Sequence, residues 1–228
     1  MTPEPVHLLI AGAAKAVVLQ LAEALAAEGH FRLAPAFDTV GALRDRVLAG
    51  EPAAATILSD EALAAVRAAG LGRGEILPLG RTGIGLGMRP GLSPAPIDSP
   101  EAFRALLGSG LTIGYADPSR GATAGRHFRA LLERTGLADP LRDRLRMFPF
   151  GVDAVAALAR GEVDLAVSQA TEIVTVPQVT FLGTFPEPYA LTTGYGALAL
   201  DESPGAAVFM ACLAAPETAP ILARSGFF

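Results

Sequence analysis

Tryptophan is missing from the 228 residues, cysteine occurs once, histidine three times, and aromatic residues make up only 6%. A lone Cys212 can form no intramolecular disulfide and no thiolate cluster. Within its apolar helical run it is expected to be a buried, inert thiol. His7, His30 and His127 are too scattered for a histidine-rich metal site, so neither metal nor cofactor is expected. A net charge of −5, with no basic–aromatic stripe, argues against a nucleic-acid partner. No uninterrupted apolar run approaches the ~20 residues of a membrane span. The opening Met1-Thr-Pro-Glu-Pro5 lacks the basic and apolar regions of a secretory signal. The chain as written is therefore expected in the cytoplasm, or in the periplasm if a leader has been removed.

What the chain has is apolar bulk and small-residue turns. Half of it is hydrophobic and 18% is charged, enough to build a sizeable core and too little charge for disorder. The richest stretch is Asp117-Pro-Ser-Arg-Gly-Ala-Thr-Ala-Gly-Arg-His-Phe128. It separates a strand-like Leu111–Tyr115 from a helix in which Phe128, Leu131 and Leu132 recur at helical spacing. A small-residue turn that opens a helix leaves backbone N–H groups unpaired at the positive end of the helix dipole, a setting suited to an anion. Three further junctions repeat the theme. Gly12-Ala-Ala14 follows the strand-like Val6–Ala11, and Asp38-Thr-Val-Gly41 follows Phe31–Phe37. Phe150-Gly-Val-Asp153 precedes the helix 154–160. Recurring βα units predict parallel sheets, with ligands taken beyond the carboxyl ends of the strands.

Two α/β blocks emerge from the pattern. The first, about 1–80, reads β-α-β-α-β-α, its third helix starting at Ser59 or Asp60. Residues 75–87 form an extended crossing segment, and Pro90 to Pro100 is a proline-rich loop. A second α/β block follows, and 191–200 is a second extended run before the closing helices 204–213 and 216–224. The blocks imply two lobes, residues 1–80 plus 195–228 and residues 84–190, with the chain crossing twice and a ligand cleft between them.

Several segments resemble the type II periplasmic binding proteins, in the molybdate-binding branch. They are Leu9-Ile-Ala-Gly-Ala-Ala14, Phe37-Asp-Thr-Val-Gly-Ala-Leu43, Ile57-Leu-Ser-Asp60, Gly114-Tyr-Ala-Asp-Pro118, Leu158-Ala-Arg-Gly-Glu162 and Ser225-Gly-Phe227. The resemblance spans nearly the whole chain and implies the two-lobed α/β fold. It also implies where the ligand contacts lie, and there this chain departs. Molybdate binders present a Ser where this chain has Ala14, a second Ser where it has Val40, and a Tyr where it has Gln169. Losing three donors, at about 1–3 kcal/mol each when poorly replaced, argues against molybdate. Ala11-Gly-Ala-Ala14, Ala122-Thr-Ala-Gly-Arg-His-Phe128 and Gln169-Ala-Thr-Glu-Ile173 resemble a signal-less, non-molybdate subgroup of this branch, to which aconitate isomerase is related.

The candidate ligand contacts are therefore Gly12, Ala13, Ala14, Lys15, Thr39, Val40, Arg120, Thr123, Ala124, Gly125, Gly151 and Gln169. Lys15 and Arg120 suit a carboxylate, although each also reads as a solvated surface cation. Thr123 reads equally as an ordinary helix cap, and Tyr195 as either a cleft hydroxyl or packing. Glu172 and His127 are the candidates for proton transfer, should the chain be an enzyme. Three functions stand open: a binding protein for a small anion, an organic carboxylate rather than molybdate, serving an ABC transporter; an isomerase of small di- or tricarboxylates; or a ligand sensor acting through a partner.

Overall fold

The computed structural model describes residues 5–27, 31–93 and 96–228. His30, Pro94 and the four opening residues lie outside them. The chain forms two compact units, Met1–Arg81 with Thr193–Phe228, and Thr82–Thr192.

The first unit begins with β1 (Pro5–Ala11), a 3-10 turn at Gly12–Ala14, α1 (Lys15–Ala27), β2 (Arg32–Asp38) and α2 (Val40–Leu48). β3 (Ala55–Ser59), α3 (Asp60–Ala68) and the first part of β4 (Arg73–Met88) follow. In the second unit, β4 continues and is followed by α4 (Pro100–Gly108), β5 (Ile113–Ala116), α5 (Thr123–Arg134) and α6 (Ala138–Leu141). Next come β6 (Leu145–Phe148), α7 (Gly151–Ala159), β7 (Leu165–Gln169), α8 (Ala170–Ile173) and β8 (Thr180–Thr184). β9 (Thr192–Ala199) returns the chain to the first unit, which α9 (Pro204–Ala214) and α10 (Thr218–Arg224) complete.

In the first unit β1 pairs in parallel with both β2 and β3, and β9 runs antiparallel to β3. In the second, β5 is parallel to β6 and β7, while β4 is antiparallel to β7 and β8. The sheets are thus mixed rather than parallel throughout. The strand returning from the second unit enters the first sheet against the direction of its βα repeats. The core of the first unit is mainly aliphatic, with Leu8, Ile10, Val17, Leu43, Ile57, Leu63 and Phe209 buried. That of the second is built on rings. Phe103 stacks on Phe185 and Tyr189 at 4.6 and 5.6 Å between centroids, and Tyr115 meets Phe128 edge-on at 5.4 Å.

β7 is buried along its whole length, Ser168 included. One local expectation changes. Cys212 is half-buried on α9 rather than buried. Tyr195 is 2% exposed and packs edge-on against Phe227 at 6.0 Å inside the first unit. No single described helix is long and apolar enough to cross a membrane, and α9 and α10, which together have the length, are bent by 69°.

Candidate functional site

Parallel strands in register bring their following turns side by side. Ala11 lies opposite Asp38, and Ile10 opposite Ile57, so the turns after β1, β2 and β3 share one end of the first sheet. Gly12–Ala14 is half-buried to buried there, and Ala11 supplies no capping side chain. Lys15, the first residue of α1, holds its ammonium 5.5 Å above the Phe37 ring at the end of β2. Gly12, Ala13, Ala14, Lys15 and Thr39 are therefore brought together. Thr39 is 7% exposed and caps α2, its hydroxyl accepting from the Ala42 N–H at 3.3 Å. Its own N–H donates to the Asp38 carboxylate at 2.8 Å. Val40 is half-buried as the first residue of α2.

The second unit repeats this arrangement. Ala116 lies opposite Phe148, and Tyr115 opposite Val167, aligning the turns after β5, β6 and β7. Between β5 and α5, Asp117 accepts from the N–H and hydroxyl of Ser119 at 2.9 and 2.7 Å, which holds its carboxyl below the usual range. The Arg120 guanidinium lies 4.9 Å from the centroid of the Phe150 ring, the residue that precedes α7. Arg120 is thus drawn toward the start of α7, where Gly151 is buried. The N-cap of α5 is Ala122 rather than Thr123, and it makes no capping hydrogen bond, so Thr123, Ala124 and Gly125 form a first turn without a side-chain cap. Gly125 also serves packing. A Cβ there would strike the Ala116 carbonyl, so α5 sits on β5 only because residue 125 has none.

The proton-transfer candidates occupy different settings. His127 is half-buried on α5, its Nε2 2.7 Å from the Tyr189 carbonyl, an acceptor that makes Nε2 the protonated nitrogen. Glu172 is half-buried on α8, and its carboxylate accepts from the Ser168 hydroxyl. The same carboxylate and hydroxyl lie against Gly151, where a Cβ would strike both. Gln169, 4% exposed, ends β7 and precedes α8. Gly151, Ser168, Gln169 and Glu172 thus form one cluster, whereas His127 is tied to the Tyr189 segment.

Sequence reading gave Ser168 and the Phe37 and Phe150 rings no role at the site. Ser168 was not singled out, although its spacing of four from Glu172 fits a contact across a tight strand–helix junction. Phe37 was read only as the end of a strand and Phe150 only as part of a turn, not as rings under a cation. Among the described residues no group of three His, Cys, Asp or Glu side chains is placed to hold a metal.

Three of these turns lack a side-chain cap, as do the starts of α6, α8 and α10, unlike the Thr39-capped start of α2. Ser59, Ser99 and Ser203 cap α3, α4 and α9 through hydrogen bonds from Ala62, Ala102 and Ala206. Ala11, Ala122 and Phe150 make none. Uncapped first turns keep backbone donors available for another acceptor.

Comparison with known proteins bears on this arrangement. The family of bacterial extracellular solute-binding proteins matches residues 6–228. An aconitate isomerase from Pseudomonas sp. is 28% identical over 193 residues, 83% of this chain and 72% of that protein. The fold resembles the periplasmic molybdate-binding protein of Azotobacter vinelandii, with a TM-score of 0.78 at 18% identity, covering 98% of both chains. It also resembles the sulfate-binding protein SubI of Mycobacterium tuberculosis, with a TM-score of 0.70 at 14% identity, covering 98% of this chain and 86% of that one.

Proposed function

Because the chain belongs to the bacterial extracellular solute-binding protein family, we propose that it binds a small anion, an organic carboxylate rather than molybdate, and delivers it to an ABC transporter. The observation that carries this reading is the set of uncapped helix starts at Ala11, Ala122 and Phe150, set beside the serine-capped starts of α3, α4 and α9. Each unit offers backbone donors for an anion, at Gly12–Ala14 in the first and at Thr123–Gly125 in the second. Lys15 and Arg120, each resting on an aromatic ring, add positive charge.

Molybdate is disfavoured by what stands at three positions. Ala14 and Val40 offer no hydroxyl, and the Thr39 hydroxyl oxygen caps its own helix. Gln169 offers an amide that both donates and accepts, better suited to a carboxylate with neighbouring polar groups than to a tetrahedral oxyanion.

A second reading follows from the 28% identity to aconitate isomerase. Here Glu172 removes a proton from a carbon of a bound tricarboxylate and returns it to another, with the Ser168 hydrogen bond orienting the carboxylate. His127, held by the Tyr189 carbonyl, then orients its segment and takes no part in proton transfer.

Calorimetric titration with sulfate, molybdate, succinate, malate and tricarballylate tests the first reading. Binding of at least one carboxylate, with molybdate silent and Lys15→Met or Arg120→Met weakening the complex, supports it. Tight molybdate binding, or no binding at all, overturns it. Proton NMR of trans-aconitate incubated with the protein in deuterated water separates the readings. Deuterium uptake that disappears in Glu172→Gln marks an isomerase, and binding without uptake marks a carrier.

A further inference from the structure

At the end of the first unit's sheet away from its candidate turns, four segments enclose a cavity of about 370 Å³. β1 begins there, with Pro5 opposite Arg32 of β2 and Leu8 opposite Ala55 of β3. Phe31, just before β2, and Pro52, shortly before β3, therefore stand at the same end as Pro5 and His7. β9 runs antiparallel to β3 and ends there, so Asp201 and Pro204, which lead into α9, complete the wall. The frame is tightly held. The Ala54 N–H donates to the His7 carbonyl at 2.8 Å, and the Leu200 N–H to the Ala54 carbonyl at 2.8 Å. Gly205 lets α9 start directly against β1, since a Cβ there would strike the Val6 side chain. A cavity of this size, largely apolar with a few polar groups, is of the kind that takes a small molecule.

We infer that this cavity is a second binding site, for a small organic cation: a protonated amine carried on a flat apolar body. It stands apart from the carboxylate reading, which concerns the other end of the same strands, and its chemistry is the reverse of that end. Pro5, Pro52 and Pro204 have no N–H to offer. The N–H groups of Ala54 and Ser203 are already taken, the latter by Asp201 Oδ1 at 2.9 Å. The Ser203 hydroxyl oxygen accepts from the Ala206 N–H at 3.1 Å. Among the described residues lining the cavity there is no lysine or arginine, and Arg73 lies 4.0 Å from the next carboxylate, that of Glu202. What the wall offers is the Asp201 carboxylate, with a second oxygen to accept from a ligand, beside proline rings and the half-buried Phe31 ring. The exposed His7 imidazole, when neutral, adds another acceptor. An ammonium group meets the carboxylate through a charge-assisted hydrogen bond and gains from an aromatic face. An anionic ligand would meet Asp201 as a like charge.

Proton–nitrogen NMR titration of the whole chain tests this with three probes on one skeleton: phenethylamine, phenethyl alcohol and 3-phenylpropionate. Phenethylamine should shift the amide signals of His7, Phe31, Ala54 and Asp201. It should bind about threefold to tenfold more tightly than the alcohol, and 3-phenylpropionate should leave those signals unmoved. Asp201→Asn keeps an oxygen for the Ser203 N–H, so it should fold and remove the amine's advantage. Added salt should weaken the wild-type complex, and Phe31→Leu should weaken amine binding about threefold. No movement of these signals at millimolar phenethylamine, or equal binding of the three probes, overturns the inference. So does an amine preference unchanged in Asp201→Asn, or shifts confined to Gly12–Lys15 or Thr123–Gly125.

Discussion

The two units solve the same local problem in opposite ways. Each ends its parallel strands in a row of small-residue turns, and each rests one cation on an aromatic ring, Lys15 on Phe37 and Arg120 on Phe150. In the first unit the second turn is closed by its own hydroxyl, with Thr39 capping α2. In the second unit the corresponding helix start has no hydroxyl, and the Glu172 carboxylate lies beside it. A cap drawn from the adjacent residue is neutral and local. A carboxylate from another element brings charge, and its place there depends on how β7 and α8 pack against α7. The cores diverge similarly, since aliphatic packing spreads its contacts, whereas the rings of the second unit concentrate them in a few large side chains.

That divergence can be broken first at the rings. Phe103, at 0% exposure and stacked on Phe185 and Tyr189, should lose about 3–5 kcal/mol of stability on Phe103→Ala. Urea melts of this variant should destabilise the second unit while Leu43→Ala destabilises the first, and coincident effects would mean that the units unfold as one. Next comes Gly125→Ala, with an expected loss of about 3 kcal/mol, because its Cβ meets the Ala116 backbone carbonyl. Gly151→Ala should cost less, about 1–2 kcal/mol, since the Glu172 side chain can swing aside where a backbone cannot. Equal thermal shifts for the two alanine variants would contradict this difference between a backbone and a side-chain neighbour.

A titration sharpens the comparison further. Burial in the second unit opposes ionisation of Asp164. Hydrogen bonds from Arg89 at 2.7 Å and from the Thr112 N–H and hydroxyl at 2.9 and 2.8 Å outweigh it, leaving the carboxyl below its usual range. A pKa depressed on folding contributes stability above the unfolded value, about 3.9, and that stability fades as pH falls through the folded value. Asp164→Asn should therefore lose about 2 kcal/mol at neutral pH, with the gap to wild type narrowing below about pH 4. A gap independent of pH between 3 and 7, read by urea melts at each pH, would discount the ionised network. The smallest effect belongs to the paired cations. Lys15→Met and Arg120→Met should each weaken carboxylate binding about threefold to tenfold in calorimetry without moving the melting temperature. A melting shift in either variant would recast that cation as structural.

Much of the fold is legible because its signals are local. Helical spacing over Phe128, Leu131 and Leu132, the serine before Ala62, and Pro100 at a helix start each settle an element within a few residues. Less was legible where neighbours in space decide. The four-residue helices α6 and α8 are too short for periodicity to register. The antiparallel entry of β9 beside β3 follows from where the chain returns and leaves no mark in its alternation.

The sequence by itself determined the mixed α/β class, the small-residue turns and the missing hydroxyls at Ala14, Val40 and Gln169, because composition, spacing and residue identity are properties of the string. Only the tertiary structure decided that the Thr39 hydroxyl oxygen caps its own helix and that His127 is bound to the Tyr189 carbonyl. It alone decided that Ser168, Glu172 and Gly151 form one charged cluster. Those outcomes turn on distances of a few ångströms between residues as many as 62 positions apart, and hydrogen bonding and steric contact act at that range whatever the separation along the chain.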